Sequence, residues 1–293
     1  MLMVEFAKVM RESLIDSLGE GYEVSVTEVL KNNSIRRTGL VIKTADNNLA
    51  PTLYLEDLLE AYNAGKITIE DAVIKLHHVY VNYKAKQPFD SSQLTNFDVC
   101  KDKIVFKLIN ADKNKEYLDD TPHKIVCGDL ALIFCMSVYI DCSSGGTVVI
   151  HNKLAKYWGV SADELYDLAI VNTPVIEKGR LISFTDFAYE ITGIECPSTM
   201  PMWICSNIHS HNGAGAILYK DILEKAVDTI GDDFYIIPCT IHECLLIPLD
   251  MDVDIKAMRT LIRSVNGSEI SEDDFLSNNL YVYHKSTGKI SIA

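Results

Sequence analysis

The chain has 293 residues, with 27 basic against 41 acidic for a net charge of −14, and 48% of its residues are hydrophobic. That length allows one large domain or two small ones with a true core, and an acid excess of this size repels a phosphate backbone. Arg36-Arg37 is the only basic doublet, so no nucleic-acid footprint is expected.

Residues 1–20 carry Glu5, Lys8, Arg11, Glu12 and Asp16 where a signal peptide would be apolar, and Phe6, Val9, Met10 and Leu14 fall on one side. The pattern predicts an amphipathic helix and no export signal. Apolar and polar residues alternate from Tyr22 to Leu30, and a second short strand is expected over Thr38 to Ile42, with Lys31 to Ser34 as the turn. Asn47-Asn48 marks a loop, and Pro51 to Leu55 reads as a third extended segment. From Glu56 the apolar spacing becomes helical and predicts two helices, with Thr68 placed to cap the second, whose apolar positions recur from Ile69 to Tyr80. The polar stretch Lys84 to Asp90, broken by Pro88, reads as a linker.

Beyond it, Lys103 to Ile109 is an expected strand, Asn110 to Leu118 a polar helical excursion, and Ile125 to Ile140 a buried strand or strand plus bend. Ser143-Ser144-Gly145-Gly146 would turn this back into Thr147 to Ile150 as a hairpin. Ser161 and Glu164 form a capping box ahead of a helix from Leu165 to Asn172, which Pro174 is expected to stop. A helix over Ser183 to Thr192, a strand over Met202 to Asn207 and a helix over Asp221 to Ile230 follow. Two apolar strands flank Cys239-Thr240-Ile241-His242-Glu243, ahead of a helix over Asp254 to Val265 and a strand over Leu280 to His284. Strand hairpins interleaved with helices predict an α+β fold with mixed, mainly antiparallel sheets and helices packed on them. Two subdomains are expected, 1–87 and 88–293.

Chemistry-bearing residues concentrate in the last third. Cys239, His242, Glu243 and Cys244 lie within six positions, and Cys205-x3-His209-x-His211 is a second cluster. Neither has the paired spacing of a zinc ribbon or finger, so no metal set is expected. Cys239 activated by His242 or His123, with Glu243 orienting the imidazole, would make a nucleophile. Against it, no nucleophile signature surrounds any cysteine. The eight scattered cysteines fit a reduced cytoplasmic protein. The Gly-x-Gly of Gly213-Ala214-Gly215 lacks the third glycine of a dinucleotide loop, so no cofactor is expected. Tyr235 reads as a core or rim aromatic.

The order of several segments resembles a bacterial family of unknown function, numbered 5688, from gut Clostridia. The matching pieces include Val29 to Asn33, Pro51 to Glu56, Ile104 to Asn110, Pro122-His123 and Tyr157 to Ser161. They continue through Asn172-Thr173-Pro174, Ile217 to Tyr219, Phe234 to Pro238 and Ile241-His242-Glu243. The resemblance implies a cytoplasmic protein, often encoded near mobile elements, with no assigned activity, cofactor or catalytic residue. Cys239-Thr240 stands where two serines are usual in that family, and His209 to His211 where basic or polar residues are usual, which weakens the thiol and metal readings. The binding positions this leaves are His123, Asn207, Tyr235, His242 and Glu243.

The expectation is therefore a non-catalytic module for a protein or peptide partner, with no nucleic acid or membrane partner. The competing expectations are a hydrolase or transferase built on His242, Glu243 and His123, or a small-ligand sensor.

Overall fold

The computed structural model describes residues 1–44, 52–85, 91–141, 144–195, 201–249 and 253–293. Asn47-Asn48, Pro51, Ser143, the segment 86–90 of the expected linker, Cys142 and Cys196 lie outside them. The chain forms two compact units, 1–96 with 138–146, and 97–137 with 147–293.

In the first unit, α1 (Met3–Leu18) buries Phe6, Ala7, Met10 and Leu14, the helical spacing its sequence presents. The antiparallel strands β1 (Tyr22–Leu30) and β2 (Arg36–Thr44) pair Val24 with Ile42, and β3 (Thr52–Tyr54) lies beside β2. The turn between β1 and β2 places Asn33 and Ser34 at φ 59° and 58°, a region short polar residues enter more readily than most. Helices α2 (Glu56–Asn63) and α3 (Ile69–Ala85) follow, so Lys84 and Ala85 are helical rather than linker. Asp71 N–H donates to Thr68 Oγ1 at 3.1 Å and Thr68 N–H donates to Asp71 Oδ2 at 2.9 Å, a reciprocal cap. Leu40, Ile42, Leu55, Leu76 and Tyr80 close this core over α1.

The second unit opens with α4 (Phe97–Cys100), β4 (Ile104–Asn110), α5 (Lys115–Asp119), β5 (His123–Cys127) and most of β6 (Leu130–Asp141), and takes up β7 (Ser144–Val149) again from Thr147. They make a sheet ordered β4-β6-β5, with β7 also on β6. The segment from Ile125, expected as a strand or a strand plus bend, is two strands joined by a turn. Gly128 turns the chain at φ 58°, where a Cβ would sit 2.4 Å from Ile292 Cδ1.

Next come α6 (Asn152–Trp158) and α7 (Ala162–Ile176). The expected capping box is present: Ser161 Oγ accepts from Glu164 N–H at 3.2 Å, and Glu164 Oε2 accepts from Ser161 N–H at 2.8 Å. Pro174, expected to end this helix, lies inside it. Its position near the C-terminus removes one hydrogen bond, and Glu177 N–H still reaches Thr173 O at 2.8 Å. The residues before it tie the helix to β4, the outer strand. Asn172 Nδ2 donates to Lys101 O and Ile104 O at 2.8 and 3.2 Å. Thr173 Oγ1 accepts from Phe106 N–H at 3.0 Å and donates to Ala169 O.

The chain then runs β8 (Gly179–Ser183), α8 (Phe184–Thr192), β9 (Trp203–Asn207), α9 (Lys220–Ile230), β10 (Asp233–Pro238), β11 (Cys244–Pro248), α10 (Ile255–Ser268), β12 (Tyr281–His284) and β13 (Lys289–Ile292). These strands form one sheet ordered β13-β12-β10-β11-β9-β8. Its period-2 alternation sends Cys205, Phe234, Ile236, Cys244 and Leu246 into the main core. Tyr235, Ile247 and Val282 point the other way, onto Ile262 of α10. All pairings with a defined register are antiparallel, and the fold class is α+β as expected.

A carboxylate joins the two sheets of this unit. Asp129, in the β5–β6 turn, accepts from Asn110 Nδ2 at 3.0 Å, Ser277 Oγ at 2.8 Å, Asn279 Nδ2 at 2.9 Å and the Tyr281 hydroxyl. No helix among the described residues is long and apolar enough to cross a membrane.

Candidate functional site

Two loops of the second unit meet around His242. The first, 208–212, leaves β9 at Asn207, whose buried side chain organises it: Oδ1 accepts from His209 N–H at 3.1 Å and His211 N–H at 3.3 Å, while Nδ2 donates to His211 O at 2.9 Å. An asparagine side chain standing in for a backbone turn explains the tight reversal. Ser210 and Asn212 take φ values of 50° and 51°, a conformation that costs energy for residues other than glycine. Gly213 ends the loop, and a Cβ there would lie 2.4 Å from Asn207 N and 2.8 Å from His242 O. Only glycine lets these backbones approach so closely.

The second loop is the β10–β11 connection. Thr240 Oγ1 accepts from His242 N–H at 2.9 Å and donates to Glu243 Oε1 at 2.8 Å. Ser206 Oγ donates to His242 O at 2.7 Å, and Ala214 N–H donates to Ile241 O at 3.1 Å, which joins the two loops. The His242 ring bridges them. Its Nδ1 lies 3.0 Å from Asn212 N–H and its Nε2 lies 3.1 Å from Asp274 Oδ1. A backbone N–H can only donate, so Nδ1 is the acceptor and the ring proton sits on Nε2, facing the Asp274 carboxylate. The His211 ring tilts against His242 with centroids 5.0 Å apart. Desolvation pushes the His211 pKa down, His242 and Lys107 add to this, and Asp274 opposes it.

The thiols are poor nucleophiles here. Burial, with Glu243 nearby, pushes Cys239 up to about 12. Cys205 and Cys244 face each other across β9 and β11, both buried. Burial pushes Cys205 up to about 12 and Cys244 well above the usual range. Among the described residues no three His, Cys, Asp or Glu side chains are grouped to hold a metal.

Of the expected positions, Asn207 and His242 are brought together and Glu243 braces the same turn. His123 opens β5 in the other sheet and places Nδ1 2.8 Å from Thr121 O. Tyr235 is buried among Ile247, Ile262, Leu280 and Val282 on the far face of its sheet, a packing role. Asp274 escaped the sequence reading because 32 residues separate it from His242. A depression lined by Asp254, Lys256, Ala257, Thr260, Leu261 and Ser264 lies along α10 and its cap, and holds none of the five.

A different surface lies at the sheet's end, where β8 is the outer strand. Ile208 N–H donates to Lys178 O and Phe184 N–H donates to Met202 O. By antiparallel alternation the backbone groups of Gly179, Leu181 and Ser183 then face away from β9. Leu181 O receives Lys225 Nζ at 3.3 Å. An Arg180–Glu190 ion pair ties α8 alongside the strand.

No curated protein and no solved structure matches the chain. The model of the family of unknown function DUF5688 matches residues 3–285, nearly its whole length, and the chain belongs to that family.

Proposed function

We propose that the chain is a non-catalytic, cytoplasmic module that binds a protein or peptide partner as an added strand along the outer edge of β8. The apolar rim of that edge carries the reading. Tyr189, Ile191 and Ile194, on α8 and just after it, are 54%, 68% and 65% exposed, and Val175 and Ile208, close to the start of β8, are 69% and 51% exposed. Exposed aliphatics gathered at an open strand edge suit an extended peptide, whose backbone pairs with the edge while alternate side chains reach the rim. Lys225 and Arg180 are charges of the kind that guard an edge against indiscriminate pairing. The His242 centre fits a structural role in this reading, because both ring nitrogens already have partners.

The test is native mass spectrometry of protein captured gently from cytosol, alongside an Ile191→Glu, Ile208→Glu double variant. Both positions are exposed, so the fold should be kept. A protein or peptide that travels with the wild type and is lost from the equally stable variant supports the reading. A retained small molecule with no polypeptide partner would sink it.

A further inference from the structure

We propose that His242 is an acid-released latch on the 208–212 loop. At neutral pH the ring holds two separate segments at once, accepting Asn212 N–H at Nδ1 and facing Asp274 with Nε2. Adding a proton to Nδ1 converts the acceptor into a donor pointed at another donor. The hydrogen bond to Asn212 then becomes a repulsive contact, while the Asp274 contact survives as an ion pair. Among the described residues the Asn212 amide has this one hydrogen bond.

Two features of the loop favour release once that bond is gone. Asn212 sits in the left-handed region, so opening there relieves backbone strain. The His211 ring lies 5.0 Å from His242, so charges on the two rings would repel each other. The titratable groups that face the latch are Asp274 from the 271–275 turn and His211 from the loop. Lys107 of β4 also opposes charge at His211, and Glu243 lies on the same turn as His242. Asn207 keeps its hold on His209 and His211, so the opening is confined to the end of the loop near Asn212.

Ile208, at the other end of the loop, keeps its bond to Lys178 O, so the latch and the peptide-binding reading are independent, and the experiment reads the latch in the free protein.

Hydrogen exchange at the Asn212 amide, corrected for the intrinsic pH dependence, should be about tenfold or more faster at pH 5 than at pH 7.5. In parallel, ring nitrogen NMR should place the neutral proton on Nε2 and show His242 gaining Nδ1–H as the amide opens. His242→Gln supplies an acceptor and a donor at every pH, so its Asn212 amide should stay protected at pH 5. A flat wild-type profile overturns the latch. So does opening while His242 remains neutral, a reading that needs no variant to fold.

Discussion

His242 shows how little a residue's sequence neighbours say about its work. Cys239 and Glu243 are its companions in the chain, yet its ring spends its nitrogens on Asn212 and Asp274, 30 and 32 positions away. Asn207, His242 and Glu243 were legible as polar residues beside apolar strands, but Asp274 was not, because a contact between loops leaves no periodic mark. Adjacency to a histidine likewise says nothing of burial, which is what sets the behaviour of Cys239. With its thiol pushed up to about 12, Cys239 should react with iodoacetamide at pH 7.5 at least about a hundredfold more slowly than an unperturbed cysteine. Mass spectrometry of the labelled peptide measures this, and alkylation at the free-thiol rate would mean that the turn is open. His211 carries a pH prediction of its own. A base whose folded pKa is lowered adds stability that is complete above its unfolded value, about 6.5, and is lost as pH falls from there through the lower folded value. Thermal stability should therefore decline between pH 7 and 5, and His211→Gln should flatten part of that decline.

Helix α7 and strand β4 show what a motif can conceal at the scale of elements. Asn172-Thr173-Pro174 looked like a helix stop, because a proline in mid-sequence normally breaks the ladder. Its helix survives, and the two residues before the proline cover an edge strand. Thr173→Val keeps the shape but leaves the buried Phe106 N–H unpaired, and should cost about 1–3 kcal/mol, seen as a lower denaturant midpoint with an unchanged slope. Stability equal to wild type would mean that water replaces the hydroxyl. Period and capping signals found α1, β1, β4, α7, α9 and β10 because each repeats its pattern over several residues. They missed β8 and β13, five and four residues long, which are too short to establish a period. The β5–β6 turn was hidden inside an apolar run, where Gly128 was its one mark. Gly128→Ala forces a side chain into a left-handed turn against Ile292 and should be destabilising in the same assay.

Across the molecule, interleaved hairpins and helices announced the α+β class, while the division of strands among three sheets depended on long-range pairing. Asp129 illustrates that dependence, since it gathers donors from Asn110 and from residues about 150 positions further on. Asp129→Ala should leave those donors short of an acceptor and cost about 1–3 kcal/mol. A loss below 1 kcal/mol, by denaturant titration, would show that the two sheets hold together without it. The apolar residues that carry the proposed reading drew no notice one at a time, because single exposed aliphatics are ordinary. The most direct measurement is hydrogen exchange of the protein alone and with its captured partner. Strand addition predicts slowed exchange at the outward amides of Gly179, Leu181 and Ser183, with the inward amides of Arg180 and Ile182 little changed. Protection elsewhere, with β8 unaffected, would contradict a binding edge at this strand.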